Sequence, residues 1–356
     1  MAEKPDITVI GGGIIGASIA WHLVEAGAKV RLIAEKIGGT ATPTSFAWIN
    51  ASWGNPEPYF RLRTRSMREW QRLADTVPNL PLSWCGGLCW DMPADDLRAY
   101  AAEHKAWGYD IRAVTKEEAT AIEPGVLQLP EFAVHVRQEG AAEPETTARI
   151  LLEHARSRGL EIIEGVKVSG FKEKSGKIVA VLTDKGQIDT DHVLLAAGGA
   201  VPALAATVGI TVPVEAPPGL IVHSKPAQKL LNGLVIATEL HVRQTLEGRI
   251  IAGSDFGGTD PGTDPEGAAN ELFARVKSFL KGGDALDMDY YTIGYRPTPK
   301  DGFPIIGSVS GLEGFYLAVT HSGVTLAPAI GRFAAEEILQ GRDEPLLAPY
   351  RLSRFA

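Results

Sequence analysis

The chain has 356 residues, 45% of them hydrophobic and 22% charged, and a formal net charge of −8. That length exceeds one compact core and suits two, at roughly 100–200 residues per domain, and the negative balance excludes a basic face for nucleic acid or anionic lipid. An acidic substrate therefore needs local positive charge at its site. No stretch reaches the ~20 apolar residues of a membrane span. The acidic leader before the glycine-bearing run 7–19 is unlike a signal peptide, so a cytoplasmic protein is expected. Cys85 and Cys89 are too few for a disulfide framework. A CxxxC pair without a nearby histidine is also a poor metal site, and no metal is expected.

In chain order, residues 7–10 read as a short apolar strand. A glycine turn follows, then a helix with Ile15, Ile19 and Leu23 on one face, stopped by Gly27. Residues 30–33 are a second strand, which makes a βαβ beginning. Residues 37–58, rich in Gly, Thr, Pro and Asn, read as a long loop, and loops of that length are usually functional or disordered. Residues 61–73 read as a helix with Leu62, Met67, Trp70 and Leu73 as its apolar positions. Further on, 146–158 reads as a helix ended by Gly159. Strands are expected at 161–163, 166–171, 178–183 and 193–196, and alternating strands with glycine turns over 219–256. A helix over 266–279, strands at 290–294 and 315–319, and a last helix over 324–339, ended by Gly341, complete the chain.

Gly11, Gly13 and Gly16 fit a G-x-G-x-x-G pattern that leaves a strand and opens a helix. The first glycine makes the tight turn, the second lets a pyrophosphate approach the backbone, and the third lets helix and strand pack closely. Free amides at the helix start, around Ile14 and Ile15, suit phosphate. The alternative is a glycine turn with no ligand. Glu35, followed by Lys36, is the carboxylate available for ribose hydroxyls, against the alternative of a solvated surface glutamate. Thr44 and Ser45 place hydroxyls in the loop after the second strand. The run Val193 to Gly199 is a buried strand ending in small residues, which lets a cofactor pass close by at Ala197 and Gly198. Finally, Gly294-Tyr295-Arg296-Pro297 leads through Asp301-Gly302-Phe303-Pro304 to His321-Ser322-Gly323-Val324-Thr325-Leu326-Ala327-Pro328.

These segments, in this order, resemble the D-amino acid oxidase / glycine oxidase / sarcosine oxidase family of FAD enzymes, over nearly the whole chain. The resemblance implies an α/β fold: a Rossmann-like FAD-binding domain, glutathione-reductase-like, interleaved with a mostly antiparallel α+β substrate-binding domain. The first would take residues 1–58, 140–215 and 295–356, and the second 59–139 and 216–294. Gly11, Gly13 and Gly16 would hold the pyrophosphate and Glu35 the adenosine ribose. Thr44, Ser45, Ala47, Trp48 and Ile49 would line the flavin, and Val168 would meet adenine through its backbone. Gly294, His321 and Ser322 join this cofactor set, with Gly323 to Leu326 at the flavin pyrimidine edge. A helix starting near Val324 would aim its positive end at the edge where reduction places negative charge.

Arg296 is implied as the group that binds a substrate carboxylate, because its planar fork matches one bidentately; Arg243 is the fallback cation. In this register the family's acidic ribose residue falls on Ala34, one before Glu35, and its substrate-facing tyrosine on His241. The expected reaction is oxidation of the C–N bond of a small amino acid or secondary amine. Hydride passes to flavin N5, and oxygen or an electron carrier is the final acceptor. The FAD is expected to be non-covalent, because the 40–50 loop offers neither the His nor the Cys that tethers flavin in relatives. The rival readings are oxidation of a 2-hydroxy acid or polyol, and a non-catalytic FAD-binding subunit of a larger amine dehydrogenase.

Overall fold

The protein is seen here as a computed structural model that describes residues 5–52, 54–254 and 260–356. The leader residues 1–4, Trp53 within the expected loop, and the last two residues of the 219–256 run lie outside the described residues.

The opening strand, β1 (Asp6–Ile10), is buried almost throughout. Helix α1 (Ile14–Glu25) follows, and β2 (Lys29–Ala34) returns parallel to β1. Both join a six-stranded sheet in the order Ile305–Ser308, Phe315–Val319, His192–Leu195, β1, β2, Glu161–Glu164. All neighbours are parallel except the Ile305–Ser308 edge strand. The central strands read as continuous apolar runs because both faces of the sheet are covered. On one side lie α1 and the last α-helix, Gly323–Gln340. They approach so closely at Gly331 that a Cβ there would stand 2.4 Å from Ser18 Oγ. On the other side, Phe171, Val181, Val201 and Phe315 form a second apolar cluster beneath an antiparallel three-stranded sheet.

An eight-stranded sheet makes the second layer system, in the order Met288–Tyr295, Pro218–Pro226, Arg249–Gly253, His241–Gln244, Leu234–Ala237, Gly87–Trp90, Phe132–Val136, Ile111–Thr115. Every pairing is antiparallel except Leu234–Ala237 against Gly87–Trp90.

The expected 37–58 loop contains a strand, β3 (Trp48–Ile49), paired with Gly140–Ala142. The helix after it is longer than its apolar pattern, running over Glu57–Thr76 (α2). It packs on the last helix where Pro328 interrupts the hydrogen-bond ladder. Proline has no N–H, so the carbonyl of Val324, four residues earlier, lacks its helical donor. The Trp70 indole supplies one, Nε1 donating to that carbonyl at 3.0 Å, and Ala329 N–H finds Ser66 Oγ at 3.3 Å. Among the described residues no helix is long and apolar enough to cross a membrane.

Candidate active site

A cavity of about 800 Å³ runs from the glycine turn after β1 to the sheet end that carries His241 and Arg296. It falls within the range of ligand-binding clefts. Gly11 has φ +114° and a Cβ there would lie 2.5 Å from the Ala196 carbonyl. A Cβ on Gly16 would be 1.9 Å from the Gly11 carbonyl, so this glycine lets helix meet strand and does not itself reach the cavity. Gly11, Gly13, Ile14 and Ile15 do line it. The start of α1 is not wholly open, because Ile14 N–H donates to Thr42 Oγ1 at 3.1 Å. Glu35 and Lys36 are exposed just past the end of β2 and line the same end, as does Val168. Ala197 and Gly198 border the middle.

The loop from Thr44 to Asn50 forms another wall. Thr44, Ser45, Ala47 and Trp48 reach the cavity, whereas Ile49 is fully buried behind it. Successive strand residues face opposite ways, so β3 can present Trp48 or Ile49 but not both. Ala47 adopts φ +60°, the left-handed region that is costly for a residue with a Cβ. Neighbouring bonds fix it there: its N–H donates to Ser45 Oγ at 3.0 Å, and its carbonyl accepts from Ala142 N–H at 3.2 Å.

Behind this wall sits Glu139, fully buried and accepting from Trp48 Nε1 at 3.0 Å, from the Ser52 hydroxyl and from the Tyr109 hydroxyl. Burial pushes its carboxyl up to about 7, against the pull of these donors. Ser52 lines the cavity.

At the far end, the last helix begins at Gly323. His321, Ser322, Gly323, Val324 and Thr325 line the cavity, while Leu326, fully buried, turns into the core. Thr325 Oγ1 donates to Trp48 O at 2.9 Å and ties the helix to β3. Burial, then the charges of Arg63 and Arg296, lower the His321 imidazole to about 4, so it is neutral at pH 7. Arg296 is half-buried in the wall just past the strand Met288–Tyr295, its N–H donating to the Pro217 carbonyl at 3.2 Å, and Gly294 lies near the end of that strand. His241 also lines the cavity, and Asp91 Oδ2 stands 2.9 Å from its Nε2.

Arg243 is not the spare cation that its sequence position suggests. It does not line the cavity, and its donors go to Phe46 O, Glu143 Oε1 and Ala142 O at 2.7, 3.0 and 3.2 Å. Sequence reasoning missed Ser52, Arg63 and Asp91. Arg63 and Asp91 sit in no local motif and are brought in by segments away from the 44–50 loop.

The family model for FAD dependent oxidoreductases matches residues 6–337. The chain belongs to this family. As an FAD-dependent oxidoreductase it is 29% identical to a glycine oxidase of Pseudomonas aeruginosa, over 98% of each chain. It is 26% identical to the glycine oxidase of Bacillus licheniformis, over 95% of this chain and 94% of that one. Among solved structures, the L-proline dehydrogenase of P. horikoshii superposes with a TM-score of 0.89 at 26% identity, covering 100% of this chain and 98% of that one. The enzyme's cofactor is FAD. The residues present fit such a group, since the glycine turn, the first residues of α1 and the small residues Ala197 and Gly198 border one elongated cavity with backbone and little side chain.

Proposed function

We propose that this enzyme oxidises the C–N bond of a small amino acid or secondary amine. The observation that carries the reading is Arg296, a half-buried guanidinium set in the wall of the cavity of an FAD-dependent oxidoreductase. The names of its relatives, glycine oxidase and L-proline dehydrogenase, support it. In this reading Gly11, Gly13, Ile14 and Ile15 hold the pyrophosphate and Glu35, with Lys36 beside it, the ribose. Val168 meets adenine, Ala197 and Gly198 pass alongside, and Thr44, Ser45, Ala47 and Trp48 line the flavin. Residues 321–325 hold its pyrimidine edge, and Gly294 leaves room beside Thr44. The segments 1–58, 140–215 and 295–356 form the FAD domain, and 59–139 with 216–294 the substrate domain.

Bound FAD supplies the hydride acceptor at N5, leaving an imine that water hydrolyses to an oxo acid and an amine. Arg296 grips the substrate carboxylate and so fixes which carbon faces the flavin; such positioning is the main catalytic term in a site of this kind. His241, held by Asp91, lies across the cavity wall as a hydrogen-bond partner or proton acceptor for the substrate amine. Trp48, Phe46 and Ile221 keep the pocket apolar around the reacting carbon. We also place the protein in the cytoplasm, where its two free thiols, Cys85 and Cys89, are ordinary. Turnover of an amine panel and a hydroxy-acid panel under one dye-linked assay tests the reading. Activity confined to hydroxy acids or polyols, or flavin that stays yellow with every amine under anaerobic conditions, refutes it.

A further inference from the structure

Arg63 is part of the cavity wall, yet no motif marks it. It projects from α2 and is 6% exposed. Its Nε donates to the Asn50 carbonyl at 3.0 Å and its Nη2 to Asn50 Oδ1 at 2.6 Å. Its Nη1 donates to Ser322 Oγ at 2.7 Å and, more weakly, to the Tyr59 hydroxyl at 3.4 Å. All four acceptors are neutral. Among the described residues no carboxylate lies within ion-pair distance of this guanidinium. The buried Glu139 carboxyl feels this charge, but burial has already pushed that group up to about 7. A buried cation held chiefly by neutral oxygens and the Tyr59 ring face, 5.2 Å away, is expensive unless something anionic compensates it.

Two further facts say where that anion belongs. First, Arg63 bonds to Ser322, the residue that opens the last helix, so its charge adds to the positive end of that helix. Second, its chelating edge is already spent. The Nε and Nη2 donors, which would grip a carboxylate bidentately, are both taken by Asn50, whose own N–H is tied to Thr325 Oγ1 at 3.4 Å. The charge is therefore fixed in place and poorly placed to clasp a substrate. Arg296, just past the strand Met288–Tyr295, acts on the same His321 from elsewhere in the wall.

We infer that Arg63 is the second cation of this site. It stabilises the negative charge that reduction places at the flavin N1–C2=O edge, while Arg296 serves the substrate. The inference rests on the reading that residues 321–325 face that edge. Arg63 is thus an electrostatic and positioning residue of the reaction, supplied from α2.

The test uses the FAD-loaded enzyme and needs no substrate. Sulfite adds its lone pair to flavin N5 and leaves the negative charge at N1–C2=O, so its binding, read as bleaching of the yellow band, reports on the field there. Arg63→Met should weaken sulfite binding roughly 10- to 100-fold, the scale of one charge-assisted contact. The two-electron midpoint potential should fall by about 30–60 mV, the same ratio converted at ~30 mV per decade. Arg63→Lys should restore most of both, because the charge survives without the fork. Asn50→Asp keeps the hydrogen bonds but neutralises the guanidinium, and should reproduce the loss even if Arg63→Met fails to fold. A yellow Arg63→Met or Asn50→Asp protein with unchanged sulfite affinity and potential overturns the inference. So does a variant in which those hold while KM for a carboxylate-bearing amine rises, since Arg63 would then be reading substrate. A colourless wild-type protein, by contrast, overturns the FAD reading beneath it.

Discussion

Truncating Arg296 to alanine removes a half-buried guanidinium from the cavity wall and leaves the backbone that carries it in place. Its N–H remains on the Pro217 carbonyl, and buried Pro297 keeps the preceding residue extended. The loss therefore falls on binding and alignment. One charge-assisted contact is worth ~1.5–3 kcal/mol, and imperfect alignment of the reacting carbon adds to it, so kcat/KM on a carboxylate-bearing amine should drop by about 2–4 kcal/mol of transition-state stabilisation. That is roughly 30- to 1000-fold at 1.4 kcal/mol per decade. Lysine should recover only part, as a point charge without the fork. Steady-state rates with a dye acceptor, set beside flavin content and a thermal melt, make the assay. Melting should barely move, because losing a half-buried side chain at a cavity edge normally costs under ~0.5 kcal/mol. His321 should become easier to protonate, since one of the two cations that oppose its charge is gone. The reasoning fails if the variant loses FAD or unfolds, which would make Arg296 structural. It fails equally if activity on the carboxylate amine is intact.

The purified protein should be yellow, and acid precipitation should leave its FAD in the supernatant; flavin in the pellet would contradict non-covalent binding. Gly16→Ala should give protein with little or no flavin, because the new methyl would stand 1.9 Å from the Gly11 carbonyl and shift the turn; wild-type flavin content would argue against that role for the turn. Stability should fall on acidification from pH 6.5 to 4. Burial lowers His22, His223 and His321 to about 4 from an ordinary 6.5, so the unfolded chain takes up those protons first and the native advantage, complete above 6.5, is lost as pH falls. Glu139 runs the other way: at about 7 against 4.5, its contribution is complete below 4.5 and is lost as pH rises through 7. At on the order of 3 kcal/mol per group, three histidines outweigh one glutamate, and a urea midpoint that stays flat or rises toward pH 4.5 would refute the balance. In Glu139→Gln the decline toward pH 4 should steepen, as the opposing term is removed.

The parts of the fold that follow local rules were legible in the sequence. The glycine turn, its flanking strands and the two long helices announce themselves through spacing, capping and apolar period within a dozen residues. Gly87–Trp90 does not, because a short strand buried on both faces shows no alternation and its parallel partner, Leu234–Ala237, lies far down the chain. The site divides in the same way. Arg296 and residues 321–325 lie in runs that read as motifs, whereas Arg63 is one arginine among several on α2 and only the fold decides that it turns inward. Ile49 and Leu326 were counted with their neighbours, though strand alternation and the 100° step of a helix already separate them from Trp48 and Thr325. His241 was legible as a position, but not its partner Asp91, which comes from the end of another strand.

The indole that stands in for the donor missing at Pro328 makes two distant positions dependent on one another. Alanine at 328 restores the helical N–H, after which Trp70 can lose its indole nitrogen at little cost beyond packing. Phenylalanine at 70 while proline remains strands the Val324 carbonyl, at ~1–3 kcal/mol for a buried unsatisfied acceptor. The same two substitutions are thus tolerated in one order and penalised in the other, so a lineage leaving this arrangement must change the proline before the tryptophan.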